Sequence, residues 1–189
     1  MGQISAAIVI TRKNASEYFW LEQLEADAPV GAFDCCISEY TGYLQEESLR
    51  AQTDRVAKTW LLREETSGAI AAYMSLIADA VRLSTAEREL HKLNYPFKTI
   101  PAMKIAKLAV AEAFRQKYRG IGSLMISFAD EIADALNTDY CAVRFLTVDA
   151  DIEHDAGVLD FYRKLGFAPN VELVNKKSKT LSMRRDLYI

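Results

Sequence analysis

Lys107-Leu108-Ala109-Val110, followed shortly by Arg115-Gln116-Lys117-Tyr118-Arg119-Gly120-Ile121-Gly122-Ser123, reads as an apolar strand that runs into a basic, glycine-punctuated loop and then opens a helix. Such an arrangement suits an anion, the alternative being a β-hairpin or strand–helix turn that is merely basic and solvated. The first turn of a helix presents backbone N–H groups with no intrahelical partner, and the summed peptide dipoles put partial positive charge there. Gly120 and Gly122 can adopt positive φ and let a ligand approach the backbone closely. Arg115, Lys117 and Arg119 add three cations in five residues with no acid among them. In a chain of formal net charge -3, that local excess points to an anionic ligand rather than to a general affinity for polyanions.

The 189 residues suffice for one substantial core and read as a single domain, 1–189. At 50% hydrophobic and 26% charged residues, the composition excludes the disordered class. No apolar run approaches the ~20 residues of a membrane span. Met1-Gly2-Gln3-Ile4-Ser5 has neither the basic nor the apolar region of a signal peptide, so a cytoplasmic protein without a membrane partner is expected. Cys35, Cys36 and Cys141 show no CxxC spacing and are expected as free thiols, with Cys141 buried at the head of an apolar run. His91 and His154 are the only histidines, which leaves no metal-ligand cluster and predicts no metal.

Working outward from the loop, Ala102–Val110 is a strand, Ser123–Leu136 an amphipathic helix with Leu124, Phe128, Ile132 and Leu136 every fourth residue, and Ala142–Val148 another strand. Asp155–Leu165 is a short helix with Asp155 as N-cap and Gly166 just past its end, and Thr180–Tyr188 closes as a strand. Upstream, Val56–Arg63 and Ile70–Ile77 form a hairpin across Glu64–Gly68. Asp79–Thr99 is a polar excursion with a short helix at Thr85–Leu93. Ile4–Thr11 reads as a first strand, Ser16–Ala26 as a helix, and Asp34–Arg50 as helical in its second half. The order describes an α/β (α+β) protein with a mixed, mostly antiparallel sheet of about six to seven strands and helices on both faces.

Three separated pieces of this pattern resemble the GNAT superfamily of N-acetyltransferases. Ile105–Val110 looks like the family's fourth strand. Lys117-Tyr118-Arg119-Gly120-Ile121-Gly122 is similar to its Q/R-x-x-G-x-G/A pyrophosphate loop, with lysine in the Q/R slot. Val158-Leu159-Asp160-Phe161-Tyr162-Arg163-Lys164-Leu165-Gly166-Phe167 is similar to its A-x-x-F-Y-x-x-x-G-F helix. The resemblance spans roughly residues 55–188 in order, with two departures. Ala111–Gln116 is longer than the family's spacing, and Asp155 stands where many members carry a cofactor-contacting asparagine.

The resemblance implies a splayed sheet and an acetyl-CoA enzyme that moves an acetyl group to a primary amine by direct attack. The loop residues Arg115 and Lys117 to Ser123, with Asp155 and Phe161, would hold coenzyme A, and Leu108 and Val110 would pair with its pantetheine amides. A backbone N–H near Val110 would stabilise the thioester oxyanion, and Tyr162 would protonate the leaving thiolate. Plain packing is the alternative role for Phe161 and Tyr162. Glu112, Asp149 and His154 lie near strand ends as candidate bases. Within the superfamily, Ala72–Ile77, Lys104–Val110 and Phe33-Asp34-Cys35 resemble the toxins of toxin–antitoxin pairs that acetylate aminoacyl-tRNA. That branch brings a tRNA substrate, an antitoxin partner and a homodimer into view. Lys176, Lys177, Lys179, Arg184 and Arg185, joined by Lys104 and Lys107, form a second basic cluster of the kind tRNA needs, although the sequence pI of ≈ 5.5 is acidic. The alternatives are an acetyltransferase for a small amine or protein lysine, and a non-catalytic acyl-CoA-binding module.

Overall fold

The computed structural model describes residues 7–155, 157–170 and 179–188. Nine strands are described: β1 (Ile8–Val9), β2 (Phe19–Gln23), β3 (Lys58–Glu64), β4 (Ile70–Val81), β5 (Ile100–Val110), β6 (Tyr118–Arg119), β7 (Phe145–Asp151), β8 (Ala168–Pro169) and β9 (Thr180–Asp186). Seven of them form one sheet in the order β2-β3-β4-β5-β7-β9-β8, while β1 and β6 pair separately. The β2/β3, β3/β4, β7/β9 and β8/β9 pairs are antiparallel and β5/β7 is parallel. The helices are α1 (Ser38–Gly42), continued by a π turn at Tyr43–Glu47 into α2 (Ser48–Thr53), then α3 (Thr85–Leu90), α4 (Glu112–Arg115), α5 (Ile121–Asp139) and α6 (Val158–Lys164). This is the expected mixed α/β class. No helix among the described residues is long and apolar enough to cross a membrane.

Contacts divide the chain into two compact units, Met1–Leu76 with Ala106–Ala129, and Ile77–Ile105 with Asp130–Ile189. In the first, Ile70–Leu76 of β4 is buried at every residue, as a central strand covered on both faces must be. The predicted helix at Ser16–Ala26 is instead a short 3-10 turn at Ala15–Glu17 followed by β2. Tyr18, Leu21 and Leu24 match a helical period, but Phe19, Trp20 and Leu21 favour strand. The ladder from Phe19↔Glu64 to Gln23↔Trp60 decides it, burying Phe19 and setting Glu22 beside Arg63.

In the second unit, Val81, Leu83, Leu93, Ile100, Ala102 and Phe145 form one apolar cluster. Burying Phe145 alone contributes about 2–3 kcal/mol. Alternating side chains of β9 meet helices on opposite faces of the sheet. Arg184 bonds Glu87 in the first turn of α3 and Asp186 bonds His91 just past its end, whereas Arg185 bonds Asp130 of α5 and the Leu165 carbonyl just past α6. The α6 helix ends as its sequence indicates: Gly166 has φ +84, Gly166 N donates to Arg163 O and Phe167 N to Tyr162 O. Cys141 is exposed rather than buried, because the apolar strand starts only at Phe145.

Candidate functional site

The loop of the first unit is built by a two-rung parallel ladder. Ile8 pairs with Tyr118 and Val9 with Arg119; Ile8 N donates to Lys117 O at 3.0 Å and Ile10 N to Arg119 O at 2.7 Å. This ladder pins the chain where it must turn into α5. Gly120 makes that turn at φ +96, and a Cβ there would stand 2.5 Å from the Ile10 carbonyl oxygen, so only glycine fits. Leu124 N donates to Gly120 O at 2.9 Å and opens the helical ladder. The N–H groups of Ile121, Gly122 and Ser123 therefore precede it, as helix geometry requires. Gly122 is an ordinary helical residue and not a second positive-φ glycine, since the helix has already begun at Ile121.

The cations of the loop are not equivalent. Lys117 Nζ donates to Glu64 Oε1 at 2.6 Å, and Arg115 stands 3.7 Å from Glu112 while donating from Nε to Val110 O at 3.2 Å. Arg119 is exposed, and no ion pair reaches it among the described residues. Tyr118 turns inward, with its hydroxyl donating to Glu64 Oε1 at 2.7 Å and its ring packed on Phe19 at 4.9 Å. Any ligand contact from Tyr118 is thus a backbone contact. The buried Glu64 carboxylate is the hub that sequence reasoning missed. Burial works to raise its pKa, but hydrogen bonds from Lys117, Ser67 and Tyr118 outweigh that and hold it below the usual value. A lysine in the family's Q/R slot, with a glutamate closing the hairpin before it, was the available signal.

Leu108 and Val110 are half-buried at the end of β5. The β5/β7 ladder runs from Ala102↔Phe145 to Ile105↔Val148, so both lie beyond its last pair. In the second unit, Tyr162 is buried, its ring edge-on to Phe161 at 5.0 Å and to Phe167 at 5.3 Å. Burial pushes its hydroxyl up to about 12, which keeps it a proton donor at neutral pH. Phe161 is half-buried against it. Asp155 is exposed and its Oδ1 accepts from Gly157 N at 2.7 Å; the N-cap of α6 is Gly157, so Asp155 organises the turn before the helix rather than capping it.

The described members of the second basic cluster do not form a free positive face. Arg184 is buried against Glu87 and Asn170, Arg185 bonds Asp130, Lys104 pairs with Asp149, Lys107 with Glu39 and Lys179 with Glu153. Lys176 and Lys177 lie outside the described residues. Of the candidate bases, Glu112 faces Arg115, Asp149 faces Lys104, and His154 Nδ1 meets Asp151 Oδ2 at 2.8 Å.

No protein-family model and no curated protein sequence matches the chain. Solved structures do match. A mutant of KacT with a tyrosine changed to phenylalanine aligns with TM-score 0.72 at 16% identity, over 90% of this chain and 96% of that one. AtaT complexed with acetyl-methionyl-tRNAfMet aligns with TM-score 0.69 at 20% identity, over 87% and 93%. A tyrosine-to-phenylalanine mutant of the AtaT toxin, bound to the C-terminus of the antitoxin AtaR and acetyl-CoA, aligns with TM-score 0.68 at 18% identity, over 90% and 94%. The chain has the fold of the GNAT-type toxins. On the GNAT fold, β5 stands as the fourth strand, the Gly120 turn follows it and α5 opens behind that turn. Along β7, Thr147 is buried, Asp149 exposed and Asp151 half-buried, an alternation already present in the sequence.

Proposed function

We propose that the chain is an acetyl-CoA-dependent N-acetyltransferase working in the cytoplasm. The observation that carries the reading is the Gly120 turn: a glycine-only conformation, pinned by the β1/β6 ladder, that opens α5 so that the amides of Ile121, Gly122 and Ser123 precede its helical ladder beside the exposed Arg119. That donor set suits a diphosphate, so residues 117–123 would hold coenzyme A there. Lys117 enters through its backbone, because its ammonium is engaged by Glu64. Arg115 borders the loop, and Asp155 and Phe161 are the remaining residues to which cofactor contacts are assigned. Leu108 and Val110 would bond the pantetheine amides through the backbone. Bound acetyl-CoA supplies an activated acyl thioester. An N–H at Val110 would then stabilise negative charge on the carbonyl oxygen, and Tyr162, protonated because its burial disfavours the phenolate, would give its proton to the departing sulfur.

The fold shared with AtaT and KacT supports the toxin-type version of this reading, in which the acceptor is the amino group of an aminoacyl-tRNA. AtaT complexed with acetyl-methionyl-tRNAfMet is the specific observation in its favour, and AtaT bound to the C-terminus of AtaR supports an antitoxin partner. The test is thiol release from acetyl-CoA with charged tRNA and with small amines, together with growth on induced expression. Turnover by the wild type, lost in Tyr162→Phe with acetyl-CoA affinity retained, is expected. Thiol release from neither acceptor class would contradict the enzyme reading.

A further inference from the structure

In the second unit, neighbouring strands bring polar side chains to one place on the sheet. The registers Lys104↔Thr147↔Arg184 and Asp149↔Ser182 align residues of β5, β7 and β9. Around them lies a cavity of about 290 Å³ whose polar lining is Asp79, Lys104, Asp149, Asn170, Thr180 and Ser182. Among the described residues, none that lines it is aromatic. Its volume suits a group the size of one amino acid.

Within it, the Lys104 ammonium sits on the Asp149 carboxylate. Asp149, one residue past the last β5/β7 pair, thus already binds a primary ammonium. Asp79 is different, because its oxygens are engaged: Oδ1 accepts from Ala80 N at 2.8 Å and Oδ2 from Thr147 Oγ1 at 2.6 Å. Asn170 is buried with Oδ1 accepting from Arg184 Nη1 at 2.5 Å. Asp149 is thus bonded to a long, rotatable lysine, whereas Asp79 and Asn170 are held by bonds to the sheet. An alkyl group placed here would strip water from Asp79, Lys104 and Asp149 without replacing their hydrogen bonds.

We propose that this cavity receives the amine-bearing head of a hydrophilic acceptor, with Asp149 orienting the substrate ammonium in the place Lys104 holds at rest. The inference rests on the acetyltransferase reading and narrows its substrate class to polar aminoacyl groups. Serinamide, glutaminamide, leucinamide and phenylalaninamide serve as probes in the thiol-release assay, with acetyl-CoA affinity measured by calorimetry for every variant. Serinamide and glutaminamide are expected to exceed the two apolar amides at least about tenfold in kcat/KM. Asp149→Asn should raise the KM for serinamide about ten- to hundredfold with kcat and acetyl-CoA affinity little changed. Asp149→Glu should restore part of the loss, and Ser182→Leu should shift preference toward leucinamide. Preference for the apolar amides, transfer to none of the polar ones, or an unmoved KM in Asp149→Asn overturns the proposal while acetyl-CoA still binds. A wild-type chain that does not bind acetyl-CoA takes down the transferase reading and this inference together.

Discussion

Gly120 concentrates the argument at the level of single residues. Its φ of +96 and the 2.5 Å approach of a would-be Cβ to Ile10 O mean that Gly120→Ala must move backbone rather than a flexible side chain. The substitution is expected to cost about 2–4 kcal/mol in urea unfolding and to weaken acetyl-CoA binding in calorimetry. The special status of Gly120 was legible from the glycine spacing and the helix behind it. That Gly122 needs no such freedom was not, because only the position of the first helical residue separates the two. Tyr162 makes a kinetic prediction. With its hydroxyl pushed up to about 12, the donor stays protonated through neutral and mildly alkaline pH, so kcat should show no alkaline fall from this group below about pH 10. Turnover in Tyr162→Phe equal to that of the wild type would contradict the assigned role.

Among the elements, the β1/β6 ladder and the β3/β4 hairpin do what neither does alone: the hairpin end supplies Glu64, and the loop supplies Lys117 and Tyr118 to it. Glu64→Gln removes the carboxylate that both share and is expected to lower stability by about 1–3 kcal/mol, a fall of several degrees in Tm by differential scanning calorimetry. An unchanged Tm would mean the hub is dispensable. In α3, Ser84 and Glu87 form a reciprocal cap, the Ser84 hydroxyl accepting from Glu87 N and Glu87 Oε2 accepting from Ser84 N at 2.8 Å. Ser84→Ala should cost about 1 kcal/mol in urea unfolding. The hairpin, β5, α5 and α6 were readable because each carries its own period and punctuation. The strand β2 was not, because a five-residue segment is decided by its partner β3 rather than by its own pattern. The pairing of the described basic residues was hidden for a related reason: sequence shows charge, but Glu87, Asp130, Asp149 and Glu39, which pair with Arg184, Arg185, Lys104 and Lys107, come from distant positions.

For the whole molecule, carboxylates held by hydrogen bonds set the response to acid. Glu87 is held at about 2: burial opposes this, but bonds from Ser84 and Arg184 prevail. Glu64 and Asp186 are lowered in the same sense. A carboxylate whose folded pKa is depressed contributes stability above its unfolded pKa and loses it as pH falls through the folded value. The urea midpoint should therefore be flat above pH 4.5 on account of Glu87 and decline between 4.5 and about 2, with a shallower decline in Glu87→Gln. A midpoint independent of pH across that window would show that these pairs do not favour the folded state. The fold class and the position of the Gly120 turn ahead of α5 were both visible from residue types and spacing. The polar cavity on the sheet was not, since it depends on the register that sets Lys104, Asp149 and Ser182 side by side.

The central claim is that the amides at the Gly120 turn hold the diphosphate of coenzyme A, and a crystal structure of the chain with acetyl-CoA tests it most directly. Diphosphate oxygens within hydrogen-bond distance of the N–H groups of residues 120–123 are the expected result. Bound acetyl-CoA with its diphosphate elsewhere and that turn untouched would contradict the account.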